Sequence, residues 1–254
     1  MNWQSIINIA LENARNYLVA AGLAFLIFYI LFKKGMRNRK IQESVPKNAD
    51  YAREIFFSVM SIIIFTLPPA ILLLNENIKP YTTYYADIRQ YGVAYFVSAF
   101  FFMILIHDTY FYWTHRIIHH PKLFRAIHLV HHKSTNPSPW AAYAFHPIEA
   151  VINSGLFVVI LFTMPVHGFH LFLFFILSLT YNVYGHLGYE LYPRGFSKHW
   201  FGRWINTSVN HNLHHKHFSG NYGFYFLFWD RWMGTIREDY DDKFEEVTDR
   251  CNIE

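Results

Sequence analysis

The sequence predicts an all-α integral membrane protein with one compact polar portion, and three observations carry that reading. Of 254 residues, 53% are hydrophobic and only 16% charged, against roughly 25% charged in soluble domains. Apolar runs recur at or near the roughly 20 residues needed to cross about 30 Å of hydrocarbon. Sixteen histidines, neutral at pH 7 and so available as ligands, crowd into short stretches beside those runs. The lone Cys251 excludes an intramolecular disulfide framework and any thiolate cluster, so metal here is bound through nitrogen. No nucleic-acid partner is expected.

Without an internal repeat, low-complexity tract or Ser/Gly linker, residues 1–254 read as a single unit. Within it, residues 1–90 hold N-terminal spans and a loop, and residues 91–238 hold the histidine-rich stretches. No cleavable signal peptide is expected, because Lys33-Lys34 and not a small-residue site follows the first apolar run. Nor does Arg250-Cys251-Asn252-Ile253-Glu254 form a Lys-Asp-Glu-Leu-type retention signal.

Three stretches qualify, or nearly do, as spans: Tyr17–Phe32, Ile55–Leu74 and Gly92–Ile106. Pro68-Pro69 should kink or break the second. A fourth region, Val151–Val183, would be roughly 50 Å long as one helix, too long for one crossing. Pro165 and Gly168 near its middle suggest a hairpin of two short helices, with a shallow re-entrant pair equally allowed. The count is therefore about four transmembrane helices.

The segment Lys33-Lys34-Gly35-Met36-Arg37-Asn38-Arg39-Lys40 has five positive charges, and the positive-inside rule places it in the cytoplasm. Counting crossings from there puts residues 75–91 outside and His107 to Pro147 inside. With an out-and-back hairpin, His186 to Glu254 is inside as well. All the histidine clusters then share the cytoplasmic side, in either a bacterial inner membrane or the endoplasmic reticulum.

The first cluster runs out of the third span. His115 and His119, four apart on a helix, share a face, and Asp108 precedes them on it as an expected acceptor for an imidazole N–H. His120, before Pro121, points off that face and is the weaker candidate. The second and third clusters, His128-Leu129-Val130-His131-His132 and His211-Asn212-Leu213-His214-His215, have identical spacing. Positions i, i+3 and i+4 make a three-pronged set on one stripe, and two facing stripes offer six nitrogens. Eight histidines in this arrangement exceed the needs of one metal and argue for two. A single His-x-x-His is more often a solvated or hydrogen-bonded pair than a ligand set; it is the repetition on one side that points to metal. The aromatic and Met residues read as lipid-facing or packing residues.

Imidazole suits zinc, copper, iron and nickel. The His-Glu-x-x-His of a membrane zinc hydrolase is absent, paired haem helices do not explain adjacent histidines, and a metal transporter should bury its ligands mid-span. Oxygen activation at two irons beside a lipid pocket fits best. The rival is a non-catalytic histidine-rich membrane protein that binds or transports metal.

At these residues the chain resembles the fatty acid hydroxylase/sterol desaturase superfamily. Trp113-Thr114-His115-Arg116 with His119, His128 to His132, and His211 to His215 followed by Phe218, Gly220-Asn221-Tyr222, Trp229-Asp230 and Gly234-Thr235 are similar to its signature. Phe145-His146-Pro147 and Gly185-His186-Leu187-Gly188-Tyr189 resemble elements of its sterol desaturase branch. The resemblance covers Asp108 to Thr235, about half the chain. It implies a four-helix membrane portion beneath a cytosolic helical cap holding a di-metal centre. It also implies two non-haem iron ions, O2 as co-substrate and a lipid that is hydroxylated or desaturated. The ligands it implies are His115, His119, His128, His131, His132, His211, His214 and His215, with His186 as the ninth. Where the hydroxylase branch has His-x-x-x-His, this chain has His186 and Glu190, so either the ligand count differs or the carboxylate substitutes. His146, Glu190 and Asp230 are expected near the site, with a structural or supporting role for His146 and Glu149. No fused haem or flavin domain and no dinucleotide fingerprint is present, so electrons come from a separate ferredoxin, cytochrome or reductase. The basic loop is read as setting topology rather than docking that donor.

Overall fold

The computed structural model describes residues 2–250; Cys251 and the residues after it lie outside the described part. Helix α1 (Trp3–Phe25) begins at Asn2, whose Oδ1 accepts from Gln4 N at 3.0 Å, and continues as a π-helix over Leu26–Leu31. The expected span from Tyr17 is its C-terminal half. Helix α2 covers Asn48–Leu74 and α3 Gly92–Ile118, so the third span runs unbroken into the first histidine cluster. Short helices α4 (Pro121–Leu123) and α5 (Leu129–His132) flank a π-turn at Phe124–His128. The hairpin is α6 (Pro147–Thr163) and α7 (Gly168–Gly185). Helices α8 (Ser208–His217), α9 (Phe228–Trp232) and α10 (Tyr240–Asp249) follow. Four helices are long and apolar enough to span a membrane: α1 with its π extension, α2, α3 and α7; α6 is apolar but shorter.

Of the kink or break expected at Pro68-Pro69, the break does not occur: α2 runs through both prolines. The prolines withdraw two N–H donors, but that turn is held from outside. Asn13 Nδ2 of α1 donates to Thr66 Oγ1 at 3.0 Å, and Ile62 and Ala70 are buried. Packing of this kind makes proline tolerable in membrane helices.

The hairpin tip carries β2 (Val166–His167), which pairs in parallel with β1 (Tyr84–Tyr85) in the loop between α2 and α3. One end of the bundle is thereby fixed. The C-terminal ends of α3 and α7 and the N-terminal end of α6 meet at the other, and the basic segment packs there too: Arg39 Nη1 donates to Tyr192 O at 2.6 Å and Arg250 Nη1 to Lys40 O at 2.9 Å. One apolar core joins Tyr17 and Ala21 of α1, Ile62 of α2, Ala150 of α6 and Leu179 of α7; a separate one unites Val209 and Leu213 of α8 with Tyr240, Phe244 and Val247 of α10. The histidines lie between these two cores.

Candidate metal centre

Nine imidazoles form two groups, His115, His119, His128, His132 and His214 in the first and His131, His186, His211 and His215 in the second. Within each group one ligand atom per residue lies within 4.8 Å of all the others. The two five-residue clusters do not serve as separate stripes. From α5 and its π-turn, His128 and His132 enter the first group and His131 the second. From α8, His211 and His215 enter the second and His214 the first. Each cluster thus bridges both groups, because the i+3 side chain is rotated away from the i and i+4 pair on a helix.

The ring nitrogens are sorted by direction. Six Nδ1 atoms are hydrogen-bonded outward to carbonyls: His115 to Tyr222 O (3.0 Å), His119 to Phe218 O (3.0 Å), His131 to Ala144 O (3.4 Å), His186 to Asn182 O (2.7 Å), His214 to Gly220 O (2.7 Å) and His215 to Ser134 O (2.9 Å); His128 Nδ1 lies 2.8 Å from Glu149 Oε1 without an aligned hydrogen bond. An Nδ1–H held by a carbonyl or carboxylate leaves Nε2 as a bare lone pair. The Nε2 atoms converge: His115 and His128 lie 3.1 Å apart, His119 and His132 3.2 Å, and His186 lies 3.1 Å from both His211 and His215 and 3.4 Å from His131. Where both rings are held by carbonyls, as in the His186–His215 and His186–His131 contacts, the facing lone pairs have no proton to share and repel; a cation among them removes the conflict. Around a metal–nitrogen bond of about 2.1 Å, neighbouring ligand atoms are roughly 3.0–3.4 Å apart, which matches these separations. Among the described residues, the buried Nε2 of His214 has no hydrogen-bond partner.

Burial, first, and neighbouring imidazoles, second, hold the rings of His128, His131, His211, His214 and His215 well below the usual histidine range, and burial lowers His186 to about 4. Neutral rings are the ligand form.

The surrounding carboxylates do not behave uniformly. Glu149 stands behind His128. Asp108 is not the imidazole acceptor expected of it: its Oδ1 accepts from Tyr225 N (2.7 Å) and Phe226 N (3.0 Å), since the loop after α8 folds back over α3 and its free N–H groups claim the oxygen. Glu190 does not substitute for an imidazole in either group. It is fully buried and accepts from Tyr184 Oη, Leu191 N, Tyr192 N and Val209 N at 2.9–3.0 Å, an anchor at the N-terminus of α8 where negative charge is favoured. Asp230 accepts from Tyr222 N (2.9 Å) and Gly223 N (2.7 Å) and so fixes the carbonyl that holds His115. His146 caps α6, its Nδ1 accepting from Ile148 N at 3.2 Å, and His120 caps α4, accepting from Lys122 N at 3.4 Å; neither joins a histidine group.

Sequence reasoning gave no role to the residues that act through the backbone. Phe218, Gly220 and Tyr222 enter it only as parts of the family-like signature, and Ala144, Ser134 and Asn182 not at all, because a carbonyl acceptor leaves no side-chain signature. Gly220 lies at φ 74°. Phe218 sits at φ 62° in the left-handed region, uncommon for a bulky side chain.

Beneath the groups a cavity of about 280 Å³ runs into the bundle. Phe111, which touches the His115 ring at 4.9 Å between centroids, and Phe145, 4.9 Å from His131, belong to its wall, as do Phe65, Leu156, Phe157 and Phe174. Glu12, Asn13, Arg15 and Asn16 of α1 line it as well, so the N-terminal portion helps to form it.

An apolar cavity whose wall residues Phe111 and Phe145 touch the two imidazole groups sets a buried metal-binding cluster beside space for an apolar molecule, and comparison with known proteins supplies the family. The chain belongs to the fatty acid hydroxylase family, whose pattern matches residues 100–235. It is 30% identical over 224 residues to a Delta(7)-sterol 5(6)-desaturase of Gibberella zeae, covering 87% of this chain and 64% of that one. It is 28% identical over 236 residues to lathosterol oxidase of Rattus norvegicus, covering 92% and 76%. With the Delta(7)-sterol 5(6)-desaturase of Saccharomyces cerevisiae it shares 28% over 232 residues, covering 90% and 59%. No solved structure matches the chain.

Proposed function

We propose that the chain is an O2-dependent di-iron enzyme that hydroxylates or desaturates a lipid, and that residues 91–238 are its catalytic region with residues 1–90 completing the substrate cavity. The observation that carries this reading is the gathering of nine imidazoles into two adjoining groups, with six of their Nδ1 atoms hydrogen-bonded outward to backbone carbonyls. His115, His119, His128, His132 and His214 would hold one iron, and His131, His186, His211 and His215 the other. Iron bound there would supply the reduction of O2 and the removal of hydrogen from an unactivated C–H bond. The chain's own part is to keep the nine rings neutral and oriented, to seat one stretch of lipid under Phe111 and Phe145, and to exclude water from it. No side-chain acid, base or nucleophile is required.

The relatives' names point to a Δ7-sterol as the first substrate to try. Electrons would come from a separate ferredoxin, cytochrome or reductase. The histidine end would face the cytoplasm, since the five positive charges of residues 33–40 lie against it.

The test is metal analysis of purified protein together with single substitutions at His131 and His214, one from each group. Expected are about two irons per chain, as two separate ligand sets imply, and O2-dependent sterol oxidation that disappears in both variants. Full activity in either variant would overturn the reading, and exchangeable zinc with no O2 consumption would favour metal handling instead.

A further inference from the structure

The cavity is not uniformly apolar. Where it nears the histidine groups, His107, Ser178 and Asn182 interrupt the aromatic wall. Two of these are engaged within the protein: the Asn182 amide donates to Ala142 O, and Ser178 Oγ to Phe175 O at 3.1 Å. His107 differs. Its Nδ1 shares a hydrogen bond of 3.0 Å with Tyr225 Oη, and its ring is boxed by Phe174 and Phe224 at 5.0 and 4.8 Å between centroids. Among the described residues its Nε2 has no hydrogen-bond partner, and the ring keeps part of its surface accessible to the cavity. Once an apolar occupant fills the cavity and excludes water, an unpaired ring nitrogen there is costly, so a partner from that occupant would be favoured.

His107 belongs to neither histidine group. It lies eight residues before His115 on α3, a helical rise of about 12 Å, with Phe111 between them. That span is shared by a hydrogen bond to the ring, a short piece of substrate, and the approach of the reacting carbon to the metal ligands. The charged lining residues, Glu12 and Arg15, belong to α1, and the other polar side chains that line the cavity beside His107, those of Ser178 and Asn182, are neutral. A carboxylate, phosphate or ammonium head would lose its hydration there with no counter-charge, whereas a hydroxyl can both donate and accept and so suits either ring tautomer.

We propose that His107, oriented by Tyr225, binds a hydroxyl group of the lipid substrate and thereby selects the carbon presented to the histidine groups. The oxidised carbon then lies near the hydroxyl along the substrate, and the apolar remainder extends toward Asn13 and Asn16 of α1. This deepens the proposed lipid oxidation and rests on it for the identity of the cavity's occupant.

The test compares binding of a Δ7-sterol and of the same sterol with its hydroxyl capped as a methyl ether, using full-length, metal-loaded protein in detergent. Wild type is expected to prefer the free alcohol by at least about tenfold. His107→Phe, which keeps a ring, should abolish the preference, and His107→Gln should restore part of it. Unchanged metal content and melting temperature establish that the variants are folded. Equal binding of alcohol and ether by wild type, failure of the alcohol to bind, or a preference that survives His107→Phe would each overturn the subsite. The two proposals fail separately: alcohol preference without oxidation under O2 and reductant sinks the reaction, and oxidation without alcohol preference sinks the subsite.

Discussion

The two histidine groups are built from the same elements yet are not equivalent. The first has five imidazoles, of which His119 is only partly buried, and a carboxylate, Glu149, backs His128. The second has four, all buried, and those with outward hydrogen bonds lean on backbone carbonyls alone. A carboxylate partner raises the basicity of its imidazole more than a carbonyl does, so ions held by the two groups would differ in electron density. An ion with four imidazoles also keeps more of its coordination sphere free than one with five.

The harshest way to break this comparison is at His186, whose Nε2 meets those of His131, His211 and His215. His186→Ala should abolish lipid oxidation and lower bound metal from about two ions per chain to about one, with the first group still loaded. Metal analysis reads the outcome; loss of both ions would mean that the groups are one thermodynamic unit. Glu149→Gln should be milder, weakening metal binding roughly 10–100-fold as outer partners do, and only in the first group. Competition with a chelator separates a one-site effect from an equal loss at both, which would erase the proposed asymmetry.

The gentlest probe is acid. Because burial depresses these imidazoles, His186 to about 4, the unfolded chain takes up protons below about 6.5 while the metal-free native state does not. Stability is therefore full above that pH and falls as pH drops toward 4. Metal-free protein should lose several degrees of melting temperature across this window, and metal-loaded protein should lose less until protons displace its ligands. A flat profile for metal-free protein would contradict the burial of the rings.

Much of this was legible beforehand because spacing and apolar length are local properties. The spans, the hairpin break at Pro165 and Gly168, and the recurrence of His-x-x-His-His all follow from helical geometry. The allotment of His131 and His214 to opposite groups was not: helical geometry turns the i+3 ring away from the i and i+4 pair, but which rings of the other cluster it meets depends on how α5 and α8 pack. Asp108 misled for a related reason: its place on the His115 face is a fact of one helix, whereas the N–H groups that claim it arrive from residues more than a hundred positions later. Pro68-Pro69 looked like a kink or break because Asn13, which supports that turn through Thr66, belongs to a neighbouring helix.

Phe218 shows what such a site costs to keep closed. Its left-handed backbone, at φ 62°, ends α8 and aims its carbonyl at His119, and its ring lies 5.2 Å from His132 and 5.8 Å from Phe124. Glycine would fit that backbone with less strain, but it would remove the aromatic ring that covers His132 beside Phe124. The residue trades a little fold stability for a drier doorway, and relief of the strain and leakage of water into the first group are alternatives that one side chain decides.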